Sequence, residues 1–243
     1  MHDGADSFDS NQIFDAYHSR RHRSDSPNES LEKPVFMELL GEVVGKQVLD
    51  LGCGDGLFAR KLYAAGCGSY VGIDASHRMV QAAWQELADT TGQVVHTKIE
   101  EWAYPPEQFD RVISRLALHY VADLDETFAK VHGTLKTNGR FIFSIVHPVI
   151  TSSDKSRESG GKRQDWIVDD YFSPGPRKVH FQGETVRQYH RTVEDIYRSL
   201  LDANFRIEQL RESRPRAEHF ADAALYERRK RIPLFLFLSA SKG

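Results

Sequence analysis

The chain has 243 residues, of which 32 are Lys or Arg and 35 are Asp or Glu, for a formal net charge of −3. That balance supplies no global basic field for nucleic acid, and 40% hydrophobic residues suit one large domain over residues 1–243, with insertions, rather than a disordered or fibrous chain. Cys53 and Cys67, with no C-x-x-C or His/Cys cluster, argue against a metal and for a reducing cytoplasm; the acidic start is unlike a secretion signal, and no apolar run is long enough to span a membrane.

Residues 1–12 read as loosely ordered. A helical arm is expected over 8–44, with Phe14, Tyr17 and His18 near its start and the basic run Arg20-Arg21-His22-Arg23 after them. Leu31, Val35, Phe36, Leu39, Leu40 and Val43 then form a helical stripe, with Pro34 near its beginning. The chain is organised around residues 46–58. Residues 48–51 have the length and apolarity of a buried parallel strand. Gly52, Gly54 and Gly56 follow, and a helical pattern begins at Leu57. Glycine admits positive φ and the close approach of a ligand. The helix start points unpaired N–H groups into the same space. The spacing is neither G-x-G-x-x-G nor a P-loop, which needs a following Lys-Ser/Thr. Asp50, at the strand end, would repel phosphate and attract an ammonium, which suits a ligand with an amino acid head.

The nine residues Val48-Leu49-Asp50-Leu51-Gly52-Cys53-Gly54-Asp55-Gly56 resemble the first motif of the class I S-adenosylmethionine-dependent methyltransferases. Gly72-Ile73-Asp74-Ala75-Ser76 resembles their second, and the resemblance runs over roughly 34–148. It implies an α/β three-layer sandwich whose seven-stranded, mostly parallel sheet ends in an antiparallel strand. It implies S-adenosylmethionine as donor and S-adenosylhomocysteine as product. Cofactor contacts are then expected at Asp50, Gly52, Cys53, Gly54 and Gly56 in the turn. Asp74, about twenty residues past the turn, is placed to accept both ribose hydroxyls; the alternative is a helix N-cap. Ala75, Ser76 and Met79 follow, the last against adenine. Tyr17 and Arg21 either reach the cofactor carboxylate or are, respectively, a packing residue and a solvated one.

Beyond the third strand, near 94–97, the family places an acid where this chain has Lys98. Ile99 and Glu100 remain for adenine. After the fourth strand, 109–114, the resemblance sets Ser114, Leu116 and His119 beside the sulfonium, with His119 read as packing rather than as a base. This loop lacks the Asn/Asp-Pro-Pro-Tyr of enzymes that methylate exocyclic amino groups of bases or glutamine amides. A helix over 124–135 should end in a cap and turn at 136–139, followed by a fifth strand over 140–146.

Residues 149–190 read as a lid insertion. It offers Trp166, Tyr171 and Phe172 to substrate, and a hairpin turned at 182–184. Candidate bases are His147, His190, Asp169 and Asp170, in that order; His147 reads equally as a capped loop histidine. Thr192 and Asp195 make an imperfect capping box. Two strands, 205–210 and 232–240, flank a charged helical excursion in which Arg228-Arg229-Lys230-Arg231 has two readings, a site for phosphate or nucleic acid and a solvated helix end, of which the second is preferred. The expected function is in-line methyl transfer to O, N or C of a small molecule. The alternatives are RNA or protein methylation, and a relative that uses the sulfonium for cyclisation or as a bound structural ligand. No membrane partner is expected, nucleic acid is disfavoured, and the chain should be a monomer or homodimer.

Overall fold

The computed structural model describes residues 8–10, 13–15, 19, 21, 23, 25–157, 165–181 and 184–243. Nine strands occur among them: β1 (Gln47–Leu51), β2 (Ser69–Asp74), β3 (Gln93–His96), β4 (Phe109–Arg115), β5 (Leu135–Val146), β6 (Gly175–Phe181), β7 (Glu184–His190), β8 (Arg206–Glu212) and β9 (Phe235–Ser241). Seven of them form one sheet in the order β3-β2-β1-β4-β5-β9-β8. The pairs among β1 to β5 are parallel, while β9 runs antiparallel to both β5 and β8. The sheet is therefore mostly parallel with its last strand reversed, as the resemblance implies.

Alternation within the strands sends side chains into two separate cores. Val48, Ile113, Ile142 and Phe237 pack against the helices Lys33–Leu40, Leu57–Ala64 and His77–Glu86. Leu49, Val112, Phe141, Phe143 and Leu238 pack against Leu124–Thr134 and Val193–Asp202 on the other face. Both faces are covered, which is why residues 48–51 are all buried. The strand order reverses between β1 and β4, and their carboxyl ends leave a crevice there.

Local expectations hold where a few neighbouring residues decide them. Thr192 Oγ1 accepts from the Asp195 N–H at 3.0 Å, and Asp195 Oδ2 accepts from the Thr192 N–H at 2.8 Å, so the capping box is complete. The hairpin pairs Val179 with Val186 and Phe181 with Glu184. Gln182 and Gly183, assigned to its turn, lie outside the described residues. One expectation is corrected. The helix closes at Thr134, and residues 136–139 bulge out of β5 instead of capping it. Leu135 pairs with Phe109 and Arg140 with Arg111, so four residues oppose one, and Asn138 takes φ +60°. Among the described residues no helix is long and apolar enough to cross a membrane.

Candidate functional site

The glycine turn after β1 is a set of three left-handed residues, with φ of +78° at Gly52, +59° at Gly54 and +77° at Gly56. A Cβ on Gly52 would lie 2.3 Å from the Ala117 Cβ, and one on Gly56 would lie 3.0 Å from the Ala83 Cα. These two glycines let the loop after β4 and the helix His77–Glu86 close on the turn. At Gly54 the nearest neighbour is the guanidinium of Arg21, 3.1 Å from a built Cβ. This glycine opens onto a cleft of about 200 Å³.

Of the expected cofactor residues, Arg21, Gly52, Gly54, Asp74, Ala75, Met79, Ile99, Glu100 and Leu116 all line that cleft. Asp74 is oriented by backbone groups on both of its oxygens. Its Oδ2 accepts from the Gly54 N–H and its Oδ1 from the Ser76 N–H, each at 2.9 Å. Burial raises its pKa above the usual carboxylate value against those two hydrogen bonds. The helix N-cap is Ser76 rather than Asp74, with Ser76 Oγ accepting from the Met79 N–H.

Asp50, Cys53, Gly56, Ser76, Ser114 and His119 stand behind the cleft wall instead of on it. The physical reasons differ. Gly56 is taken up by helix packing. Cys53 is buried against Gly72, and burial pushes its thiol pKa well up. Ser76 donates its hydroxyl to Asp9, and Ser114 donates to the Leu51 carbonyl, tying β4 to β1. Asp50 accepts from the Tyr70 hydroxyl at 2.9 Å through Oδ2, while its Oδ1 has no partner within the protein. Desolvation lifts its pKa to about 6, against the charges of Arg115 and Arg21. A buried orphan oxygen near the end of β1, just before the glycine turn in the chain and sensing the Arg21 charge, fits a ligand carrying both an ammonium and a carboxylate. Tyr17 lies outside the described residues.

Sequence reasoning missed part of the cleft wall. Arg115, at the end of β4, lines it with its guanidinium bound by the fully buried carboxylate of Glu32. Ser144 donates to the same carboxylate at 2.7 Å, and Phe58 lies 4.1 Å beneath the Arg115 guanidinium. Lys98, already out of place for the family, also lines the cleft. Phe8, Tyr120 and Tyr189 join from three separate segments. Only the position of Arg115 at a strand end signalled any of this.

A second cavity of about 350 Å³ adjoins the first and shares Phe8, Leu116 and Tyr120 with it. His119, Ile150, Trp166, Phe181, Arg228 and Arg229 are among its other walls. The expected bases are not there. His147 follows directly on β5 and lines neither cavity. Its Nε2 meets Glu212 at 2.9 Å and its Nδ1 accepts from the Val149 N–H, so both nitrogens are engaged. His190 is fully buried between the Thr151 hydroxyl at 2.8 Å and the Tyr171 carbonyl at 2.9 Å. Burial lowers the pKa of both. Asp169 is exposed and paired with Lys155; Asp170 is an exposed turn residue with φ +53°.

The three proposed substrate aromatics separate. Trp166 lines the second cavity. Tyr171 instead supports the hairpin base, its hydroxyl accepting from the Val193 N–H. Phe172 is 87% exposed and touches neither cavity. The basic run also departs from expectation. Lys230 pairs with Glu227 and Arg231 with Asp165, but Arg228 and Arg229 turn into the second cavity. Among the described residues no His, Cys, Asp and Glu cluster is arranged to hold a metal.

Residues 49–143 match the family model of a methyltransferase domain. A solved S-adenosylmethionine dependent methyltransferase of Mesorhizobium loti is 34% identical with a TM-score of 0.79, over 86% of this chain and 97% of its own. A Listeria monocytogenes protein proposed to be such an enzyme is 35% identical with a TM-score of 0.80, over 87% of this chain and 96% of its own. An uncharacterized protein of Haemophilus influenzae is 32% identical across 84% of this chain and 85% of its own. The fold and the glycine-turn cleft define a Rossmann-like methyltransferase. The chain belongs to the S-adenosylmethionine-dependent methyltransferase family and is an enzyme that uses that cofactor.

Proposed function

We propose that the chain methylates a small molecule seated in the second cavity, with the cofactor lying in the first. The observation that carries this reading is the shared wall of Phe8, Leu116 and Tyr120, which lets two ligands meet end to end. When bound, the cofactor supplies a methyl group on a sulfonium, open to in-line attack by an O, N or C nucleophile. Asp74 takes the ribose hydroxyls, and Met79, Ile99 and Glu100 flank the adenine. Arg21 meets the cofactor carboxylate, and the orphan oxygen of Asp50 faces its ammonium. Ordering both reactants in adjoining cavities is the main catalytic device, because a neutral thioether leaves readily.

His119 is the histidine at the seam. Its Nδ1 has no partner within the protein, and burial, helped by the Arg191 charge, pushes its pKa down to about 3. A ring that stays neutral at that level hydrogen-bonds the acceptor and aligns it; it is a weak proton sink. The hairpin and Trp166 act as the lid over both ligands, with Tyr189 on the first cavity and Phe181 on the second. All the groups needed come from one chain within one domain.

The RNA alternative rests on two basic clusters, 20–23 and 228–231, and the second is weakened as an outer groove because Arg228 and Arg229 line the second cavity. The test is a cofactor-turnover assay against a metabolite panel, with Asp74→Ala and Trp166→Ala as controls and both S-adenosylhomocysteine and methylthioadenosine quantified. Methyl transfer yields the first. Methylthioadenosine would mean attack on another cofactor carbon, and no product with any small molecule would remove the reading.

A further inference from the structure

Eight buried side-chain nitrogen or oxygen atoms among the described residues lack a hydrogen-bond partner within the protein. Four of them belong to residues that line the second cavity: His119 Nδ1, Trp166 Nε1, Arg228 Nε and Arg229 Nε. Buried polar atoms are ordinarily paired, so a concentration of orphans at one cavity marks a place shaped for something polar. Their chemistry is one-sided. Trp166 and both arginines offer N–H donors, and the imidazole of His119 is the only group of the four that can accept.

The nearby charges sharpen the picture. Within the helix Ala223–Arg229 and its exit, Glu227 is taken by Lys230, and Asp165 is taken by Arg231. Neither Arg228 nor Arg229 forms an ion pair with a described residue. Burial and the Arg228 charge both lower the pKa of Arg229. A helix C-terminus favours cations, but that preference is met equally well by side chains in solvent. Here they lie half-buried beside apolar walls. The Arg228 guanidinium is 5.7 Å from the Trp166 ring centre, and Ile150, Phe181, Leu234 and Phe235 are among the apolar residues of the lining, which also includes the polar Asn28.

We infer that the acceptor is an anionic molecule with an apolar body, whose carboxylate or phosphate docks on Arg228 and Arg229 while its body lies against Trp166 and Phe181 and its nucleophile points to the Phe8–Tyr120 seam. The inference rests on the two-cavity reading of the proposed function and adds the class of acceptor. Guanidinium groups suit either anion through paired N–H donors. The uncompensated charge selects against neutral isosteres, which would leave those donors buried and unpaired.

The test uses the full chain saturated with S-adenosylhomocysteine and three probes that share one naphthalene body: 2-naphthoate, 2-naphthyl phosphate and 2-naphthamide. Calorimetry should show at least one anion binding roughly tenfold to hundredfold more tightly than the amide, the range a charged hydrogen bond commands. The tighter of the two anions identifies the acceptor head group. Arg228→Gln/Arg229→Gln should erase that preference while S-adenosylhomocysteine binds as in the parent, which shows that the variant is folded. Trp166→Ala should weaken all three probes. Equal binding of amide and anions, no binding of any probe to the cofactor-saturated parent, or an anion preference that survives in the double variant would overturn the inference. Failure of S-adenosylhomocysteine itself to bind the parent would instead bring down the cofactor placement beneath it.

Discussion

The two adjoining cavities are made in different ways. The first is built largely on backbone: the ends of β1, β2 and β4, Gly52 and Gly54 at positive φ, and a carboxylate oriented by two N–H groups, with Phe8, Tyr120 and Tyr189 added from separate segments. The second is built from side chains delivered by distant segments, among them Phe8, His119, Trp166, Phe181 and Arg228. A backbone-built site holds one ligand in one way, and few substitutions leave it working. A site assembled from separate side chains can change specificity one residue at a time. Among the described residues, half of the buried unpartnered polar atoms belong to residues lining the second.

Substitutions can break or sharpen that contrast. The largest effect should come from Glu32→Ala. It leaves the buried Arg115 charge on the cleft wall without its partner and should cost about 3–5 kcal/mol in urea unfolding. A loss below about 1 kcal/mol would show that the backbone-built half does not depend on this pair. Asp50→Asn should act in the opposite direction. The folded pKa of Asp50 lies near 6, above its ordinary value of 3.8, so its contribution to stability is complete below pH 3.8 and is lost as pH rises through 6. Removing the titration should stabilise the ligand-free protein near pH 7 by up to about 3 kcal/mol, while S-adenosylhomocysteine binds more weakly. If both stability and affinity rise, the ammonium assignment is wrong.

Asp74→Ala should lose roughly tenfold to hundredfold in cofactor affinity; calorimetry that finds parental affinity would remove the ribose assignment. His119 tests the second cavity through pH. Its folded pKa is depressed from 6.5 to about 3, so its stabilising contribution is present above 6.5 and lost as pH falls. The stability difference between the parent and His119→Gln should therefore change by about 1.4 kcal/mol per pH unit below 6.5. A flat difference between pH 6 and 4 would mean that the ring is reached by water. The smallest effects belong to Phe172→Ala, Asp169→Asn and Asp170→Asn, which should each move stability by less than about 0.5 kcal/mol and leave turnover unchanged. A marked fall in turnover with any of them would bring the outer face of the insertion into the site.

The same contrast explains what could be read in advance. Asp74 was legible because a strand, one helix and the next strand impose a near-constant lag between the glycine turn and its carboxylate. The hairpin and the Thr192 box were legible because each closes within a few residues. His147 and His190 were misplaced for the opposite reason. A strand end fixes where a residue sits, but its neighbours across the sheet decide what it faces. For His147 that neighbour is Glu212 of β8, and for His190 it is Thr151 at the end of a short helix. Arg228 and Arg229 looked solvated because a charge run shows nothing of the cavity beside it.

By itself the sequence determined the strand–turn–helix around Gly52, the carboxylate of Asp74 and the family to which both belong. These depend on backbone conformation and on neighbours close along the chain. Tertiary structure alone decided which histidine stands at the seam, which arginines turn inward, and that Glu32 holds Arg115 across 83 residues. Such choices follow from how layers pack, and packing brings together residues whose order in the chain carries no trace of their meeting.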